Sequence, residues 1–163
     1  MLIELNVIWT IIINFFLWLV IHLSFAYIFT IIPVKRINTK SWIFKQMKWE
    51  QNGKIYEDVF HIKKWKGKLP DGAALFKNGF QKKSIASKEG AYFIQFYIET
   101  CRAELVHWIV ILFSPVFFIW NPLWAGAIMI IYAILANLPC IIAQRYNRIR
   151  FKRILNSKLP VSG

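Results

Sequence analysis

No lysine, arginine, aspartate or glutamate falls between Leu5 and Val34, nor between Leu105 and Gln144. Runs that long without charge exclude an ordinary soluble domain, since a bilayer core of ~30 Å needs about 20 helical residues. Met1 to Asn6 lacks any basic residue. A secretory signal would want one there, with a shorter apolar core and a small-residue cleavage site, so the first run is read as a retained span. Cysteine is scarce: Cys101 and Cys140 alone, at a spacing that matches no metal or redox motif. Both fall at the reducing side of the expected topology, so no disulfide is expected. A nucleophilic Cys101 is disfavoured because Glu99 and Glu104 oppose a thiolate and only Arg102 favours one. Internal repeats and low-complexity tracts are missing too. Acid is the last scarcity, with 8 Asp and Glu against 21 Lys and Arg, a formal charge of +13.

What is present sorts by position. The first apolar run supplies one span, and the second is long enough for two, with Asn121-Pro122 in "WNPLW" turning the chain between them. The chain therefore reads as an all-α integral membrane protein, a single membrane domain over 1–163. Its three transmembrane helices lie at about 7–33, 105–120 and 123–143. Every Lys and Arg lies in Lys35 to Arg102 or Arg145 to Lys158. By the positive-inside bias the N-terminus is outside, and the interfacial segment 35–103 and the tail 145–163 are cytoplasmic. The expected location is the cell (inner) membrane, with the excess charge facing anionic inner-leaflet lipids rather than nucleic acid. In the cytoplasmic segment, "SWIFKQMKWE" (Ser41 to Glu50) suits an amphipathic helix lying in the interface. "QNGK" signals a turn, and "GAYFIQFYIETCRAEL" climbs from Gly90 into the second span. The lysines of "KKWKGKLPDG", among them Lys64 and Lys66, and its turn amides suit either lipid headgroups or a bound phosphate.

The densest ionisable cluster, "ETCRAELVHW", stands where the second apolar run begins. On a helix, Glu104 and His107 are an i, i+3 pair about 60° apart, bordered by Glu99, while Arg102 points the other way, toward headgroups. The third span ends "ANLPCIIAQRYNRIR". There Asn137 and Gln144 share a face, Pro139 should kink the helix, and Arg145 to Arg148 crowd the exit. An antiparallel hairpin brings the start of one arm to the end of the other, so the two clusters should face each other. Arg145 and Arg148 also fit plain positive-inside anchors, with Glu104 their surface partner. His22, in the first span, suits a hydrogen bond within the bundle. A histidine near neutral pH accepts protons, an adjacent carboxylate holds its tautomer, and Asn or Arg donors stabilise an oxyanion. That is equipment for moving an acyl group onto a hydroxyl without a Ser or Cys intermediate. Glu99, Glu104 and His107 are also three possible metal ligands, though no second His-rich motif completes such a site.

"ETCRAELVHW" with "ANLPCIIAQRYNR" and the upstream "KKWKGKLPDG" resembles the glycosyl-4,4′-diaponeurosporenoate acyltransferase family of bacterial carotenoid synthesis, over roughly Ile43 to Arg150. The resemblance implies a membrane acyltransferase esterifying the sugar hydroxyl of a lipid-embedded glycosylated carotenoid. It carries to Arg102, Glu104, His107, Trp108, Asn137, Arg145, Tyr146, Asn147 and Arg148, and to Trp65, Lys66, Asp71 and Gly72. Cys101 stands where the family pattern has no cysteine. The combined expectation is an enzyme with His107 as base and Glu104 as its orienter. Asn137, Arg145 or Asn147 make the oxyanion contacts, and Arg102, Tyr146, Arg148, Lys64, Lys66 and Asp71 are further substrate contacts. No cofactor is expected, only an acyl thioester donor as co-substrate. The rival readings are a metal-assisted lipid hydrolase or transferase, and a non-catalytic scaffold of a lipid-synthesis complex.

Overall fold

The computed structural model describes residues 3–69 and 90–158, and every regular element among them is helical. Helix α1 spans Val7–Ile31. Asn6 caps it, its Oδ1 accepting the Ile8 amide at 2.9 Å, and it ends just before Pro33, which disfavours helical backbone in the residue ahead of it. Two short helices follow in the polar segment, α2 at Lys54–Asp58 and α3 at Ile62–Trp65. The hairpin is α4, Gly90–Phe113, which tightens into a 3-10 stretch over Ser114–Ile119, and α5, Leu123–Lys158. Three helices are long and apolar enough to cross a membrane, over Val7–Ile31, Tyr92–Ile119 and Leu123–Ser157, which marks a membrane protein. At 1.5 Å per residue α5 is ~54 Å long, so it outreaches a ~30 Å hydrocarbon layer and carries its basic end beyond it.

The helix expected over Ser41 to Glu50 is replaced by two 3-10 turns, Trp42–Phe44 and Lys48–Gly53, with extended backbone at Lys45 and Met47. The reason is tertiary. The Glu50 side chain folds back to accept the Met47 amide, and the chain then reverses through three left-handed residues, Gln51, Asn52 and Gly53, at φ 44°, 55° and 91°. Gly53 takes that conformation without strain, whereas Gln51 and Asn52 carry some. The amphipathic piece expected to climb from Gly90 into the second span runs into it without a break. Gly90 to Phe113 is one helix, so Glu99 to His107 sit in its middle.

Three buried clusters hold the assembly. Trp18 and Ile21 of α1 meet Val110, Phe117 and Ala133, with the Trp18 and Phe117 rings stacked 4.6 Å apart. Tyr56 and Ile62 pack on Ala143, Tyr146 and Ile149 of α5. Phe93 and Phe96 pack on Phe151. Between helices in lipid, close van der Waals packing and interhelical hydrogen bonds replace the hydrophobic driving force. Both appear at the hairpin turn. A Cβ at Gly126 would collide with the Phe118 ring, and the Asn14 and Asn121 carboxamides exchange two 2.9 Å hydrogen bonds. Trp120 Nε1 adds a third at 2.8 Å to Asn14. His22 bonds the Trp18 carbonyl at 2.9 Å, inside its own helix. The outer face of α1, with Val7, Ile8, Ile11, Phe15 and Phe16 exposed, suits contact with lipid.

Candidate functional site

Helical side chains lean toward the N-terminus of their own helix. In the α4–α5 hairpin, acids on α4 and arginines farther along α5 therefore reach toward a common level. Glu104 is completely buried. Its Oε1 accepts Arg145 Nη1 at 3.1 Å, its Oε2 accepts Arg148 Nη1, and Trp108 Nε1 approaches Oε1 at 3.4 Å. Arg145 also reaches the polar segment between α1 and α4. Its Nε donates to Glu50 Oε1 at 2.9 Å, and Nη1 and Nη2 donate to the Ile43 and Lys45 carbonyls at 3.2 and 3.4 Å. Tyr56 Oη donates to the same Glu50 oxygen at 2.6 Å. Two carboxylates and two guanidiniums thus form one buried, charge-balanced chain, Glu50–Arg145–Glu104–Arg148. Burial works to raise the Glu50 pKa, but hydrogen bonds from Arg145, Tyr56 and the Met47 amide hold it below the ordinary carboxylate value. Burial and the adjacent Glu50 charge push the Tyr56 phenol upward, so it remains a donor.

His107 is arranged otherwise than expected. Its Nδ1 lies 2.8 Å from Asn137 Oδ1, and Asn137 Nδ2 donates to the Ala133 carbonyl at 2.8 Å. Because that amide nitrogen is committed to a carbonyl, the face toward His107 must be the acceptor oxygen. The Nδ1 position then carries hydrogen, and Nε2 is the basic nitrogen of the neutral ring. Asn137 therefore sets the tautomer at Nδ1. A carboxylate flanked by two guanidiniums makes stronger charge-assisted bonds with them than with a neutral imidazole, and this turns Glu104 to α5.

The other expected contacts divide. Arg102 is 8% exposed instead of reaching outward; it donates to the Ile32 carbonyl at 2.8 Å and pairs with Glu99 at 3.2 Å. It ties α4 to the end of α1. Tyr146 Oη donates to Glu57 Oε1 at 2.6 Å, and Asn147 Oδ1 accepts Lys66 Nζ at 3.0 Å. The Lys66 ammonium also stands 4.7 Å from the Tyr146 ring centre. Burial, with the nearby positive charge of Arg150, lowers the Lys66 pKa. Lys64 is exposed. Asp71 and Gly72 lie outside the described residues. Cys101 is buried on α4 and Cys140 half-buried on α5. No three His, Cys, Asp or Glu side chains converge as a metal site among the described residues.

Glu50, Tyr56 and Glu57 had no place in the sequence-based site. One signal was present: Glu50 is the only acid between Glu4 and Glu57, three residues ahead of the glycine of a turn motif. A lone acid in an otherwise basic, aromatic stretch is a candidate for a buried partner.

The family model for glycosyl-4,4′-diaponeurosporenoate acyltransferase matches residues 40–157, which hold every residue of this site and leave α1 outside. Two curated glycosyl-4,4′-diaponeurosporenoate acyltransferases from Staphylococcus aureus, of strains bovine RF122 / ET3-1 and USA300, are each 39% identical over 138 residues, covering 85% of this chain and 83% of the relative. No solved structure matches the chain. The buried Glu50–Arg145–Glu104–Arg148 chain and the His107–Asn137 pair therefore lie in an enzyme, an acyltransferase: the chain belongs to the glycosyl-4,4′-diaponeurosporenoate acyltransferase family.

Proposed function

We propose that this membrane acyltransferase moves a fatty acyl chain from an acyl thioester onto a sugar hydroxyl of a glycosylated, carotenoid-like lipid, with His107 as general base. The observation that carries the reading is the Asn137 carboxamide. It is 1% exposed and gripped by the Ala133 carbonyl on one side and His107 on the other. A base needs its basic nitrogen aimed consistently, and the pinned carboxamide provides that. The acceptor's name is that of the relatives, and a lipid-embedded hydroxyl suits a base carried on a membrane-spanning helix.

In the reaction, Nε2 takes the proton of the acceptor hydroxyl as its oxygen attacks the thioester carbonyl carbon. The carbonyl π electrons move to oxygen. Collapse restores the carbonyl and expels the thiolate, which receives the proton from the imidazolium. No covalent enzyme intermediate is required. Lys66, held against Asn147 and the Tyr146 ring and flanked by Arg150, would meet phosphates of the donor or of inner-leaflet lipid. The metal-assisted alternative needs the Glu104 carboxylate, which two guanidiniums already occupy.

The test is His107→Ala in nanodiscs, with the thioester donor and glycosylated acceptor supplied. A general base is worth roughly 10²–10⁴ in rate, so retention of more than about a tenth of activity would remove His107 from the mechanism. Ester formation abolished by chelation and restored by one divalent metal would instead favour the metal-assisted reading.

A further inference from the structure

Asn137, Arg145 and Asn147 were the candidates for the developing oxyanion, with Arg148 a further substrate contact, and the structure commits most of their hydrogen-bonding groups elsewhere. Asn137 Nδ2 is spent on Ala133. Arg145 uses Nε, Nη1 and Nη2 on Glu50, Glu104, Ile43 and Lys45. Asn147 Oδ1 accepts Lys66 Nζ, which directs that half-buried carboxamide to the lysine segment. Arg148 differs. It is 2% exposed, one end of its fork holds Glu104 Oε2, and its Nη2 has no hydrogen-bond partner among the described residues. A buried N–H left unpaired is costly, more so on a charged group, so such an atom calls for a physical reason.

Position supplies one. Glu104 and His107 lie one turn apart on the same side of α4, where i, i+3 side chains start about 5–6 Å from each other. Arg148 thus holds a carboxylate whose side chain starts one turn from the base on the same face of α4. Arg102 Nε also has no partner among the described residues, but that side chain leaves α4 on the opposite side and ends at the Ile32 carbonyl. Phe44 covers Arg148, its ring centre 5.4 Å from the guanidinium carbon, and low-dielectric surroundings strengthen a hydrogen bond to a charged oxygen.

Resting on the acyl-transfer reading above, we propose that Arg148 Nη2 is the donor that receives the carbonyl oxygen as it becomes an oxyanion. As the acceptor oxygen bonds to the carbonyl carbon, the π pair settles on that oxygen, and the Nη2 hydrogen bond forms at full strength. The bond weakens again when the thiolate leaves. Glu104 holds the fork in place, which makes it a positioning residue for Arg148.

The experiment uses the full chain in nanodiscs, comparing wild type with Arg148→Lys, Arg148→Gln and Arg148→Met at equal amounts of inserted, monodisperse protein. Each is assayed for kcat, donor KM and inhibition by a long-chain alkyl trifluoromethyl ketone, which forms a tetrahedral adduct with the acceptor hydroxyl. Loss of one oxyanion donor typically lowers kcat about 10²–10³-fold, and that loss is expected for Arg148→Met with donor KM changed by less than about twofold. Inhibitor affinity is expected to fall in parallel with kcat/KM across the three variants. Losses confined to KM, or inhibitor affinity that stays constant while kcat falls, would overturn the assignment, because a merely structural arginine gives no such parallel. Wild-type protein that makes no ester would overturn the acyl-transfer reading itself, and full activity of all three variants would overturn Arg148 alone.

Discussion

His107 and Asn137, thirty residues apart on facing helices, meet at 2.8 Å through Nδ1 and Oδ1, and the same carboxamide is pinned behind by Ala133. Asn137→Ala should therefore leave the base present but free to adopt either tautomer. Activity should fall by at least tenfold without reaching the full ~10²–10⁴-fold cost of deleting a base. The unfolding midpoint of the purified protein should move little by comparison. An Asn137→Ala enzyme as active as wild type would detach the pair from catalysis.

Glu50 predicts a stability effect. Removing one partner of a buried ion pair costs about 3–5 kcal/mol, and Arg145 keeps Glu104 and two carbonyls, so Glu50→Ala should cost about 3 kcal/mol. Thermal unfolding in detergent measures it. Unchanged stability would show that the turn at Gln51 to Gly53 does not brace α5.

The same carboxylate sets a pH dependence. Its folded pKa lies below the ordinary value of 4.5, so the unfolded chain binds the proton more readily as pH falls. The stabilisation is whole above about pH 5 and is lost as pH drops through the folded pKa. Wild type should lose more stability than Glu50→Gln across that acid window, and the two curves should run parallel at neutral pH. Parallel curves throughout would contradict the lowered pKa.

Gly126 lets the Phe118 ring lie where a side chain would stand. Gly126→Val should cost about 1–3 kcal/mol by overpacking and lower the yield of inserted protein, with Gly126→Ala milder. Equal yields for all three would mean the ring has room to move.

The one-sided Lys and Arg distribution predicts topology. Reporters fused at the C-terminus and inserted near Asn78 should both read cytoplasmic. An external reading for either would overturn the three-span arrangement.

The spans were legible because two charge-free runs leave few alternatives, and Asn121-Pro122 marks the turn before α5 begins at Leu123. The meeting of Glu104 with Arg145 and Arg148 was legible too, since antiparallel arms place those levels together. The histidine's partner was not. Helical spacing offers Glu104 to His107 as a local pair, and only the facing helix shows that two guanidiniums compete for that carboxylate. Glu50 was hidden for a different reason. Its contact with Arg145 spans 95 positions and depends on three successive left-handed residues, which hydrophobic periodicity does not encode.

The balanced chain of Glu50, Arg145, Glu104 and Arg148 also orders the protein's biogenesis. Both acids leave the ribosome before either arginine, so a nascent chain that has delivered α4 holds a carboxylate in a membrane-spanning helix with its neutralising partners still unmade. Glu104 is bearable at that stage only if it is protonated, hydrated or left near the surface. Deep seating of α4 then waits for α5, and a chain arrested before Arg145 should hold its second span shallow and be a ready substrate for membrane quality control.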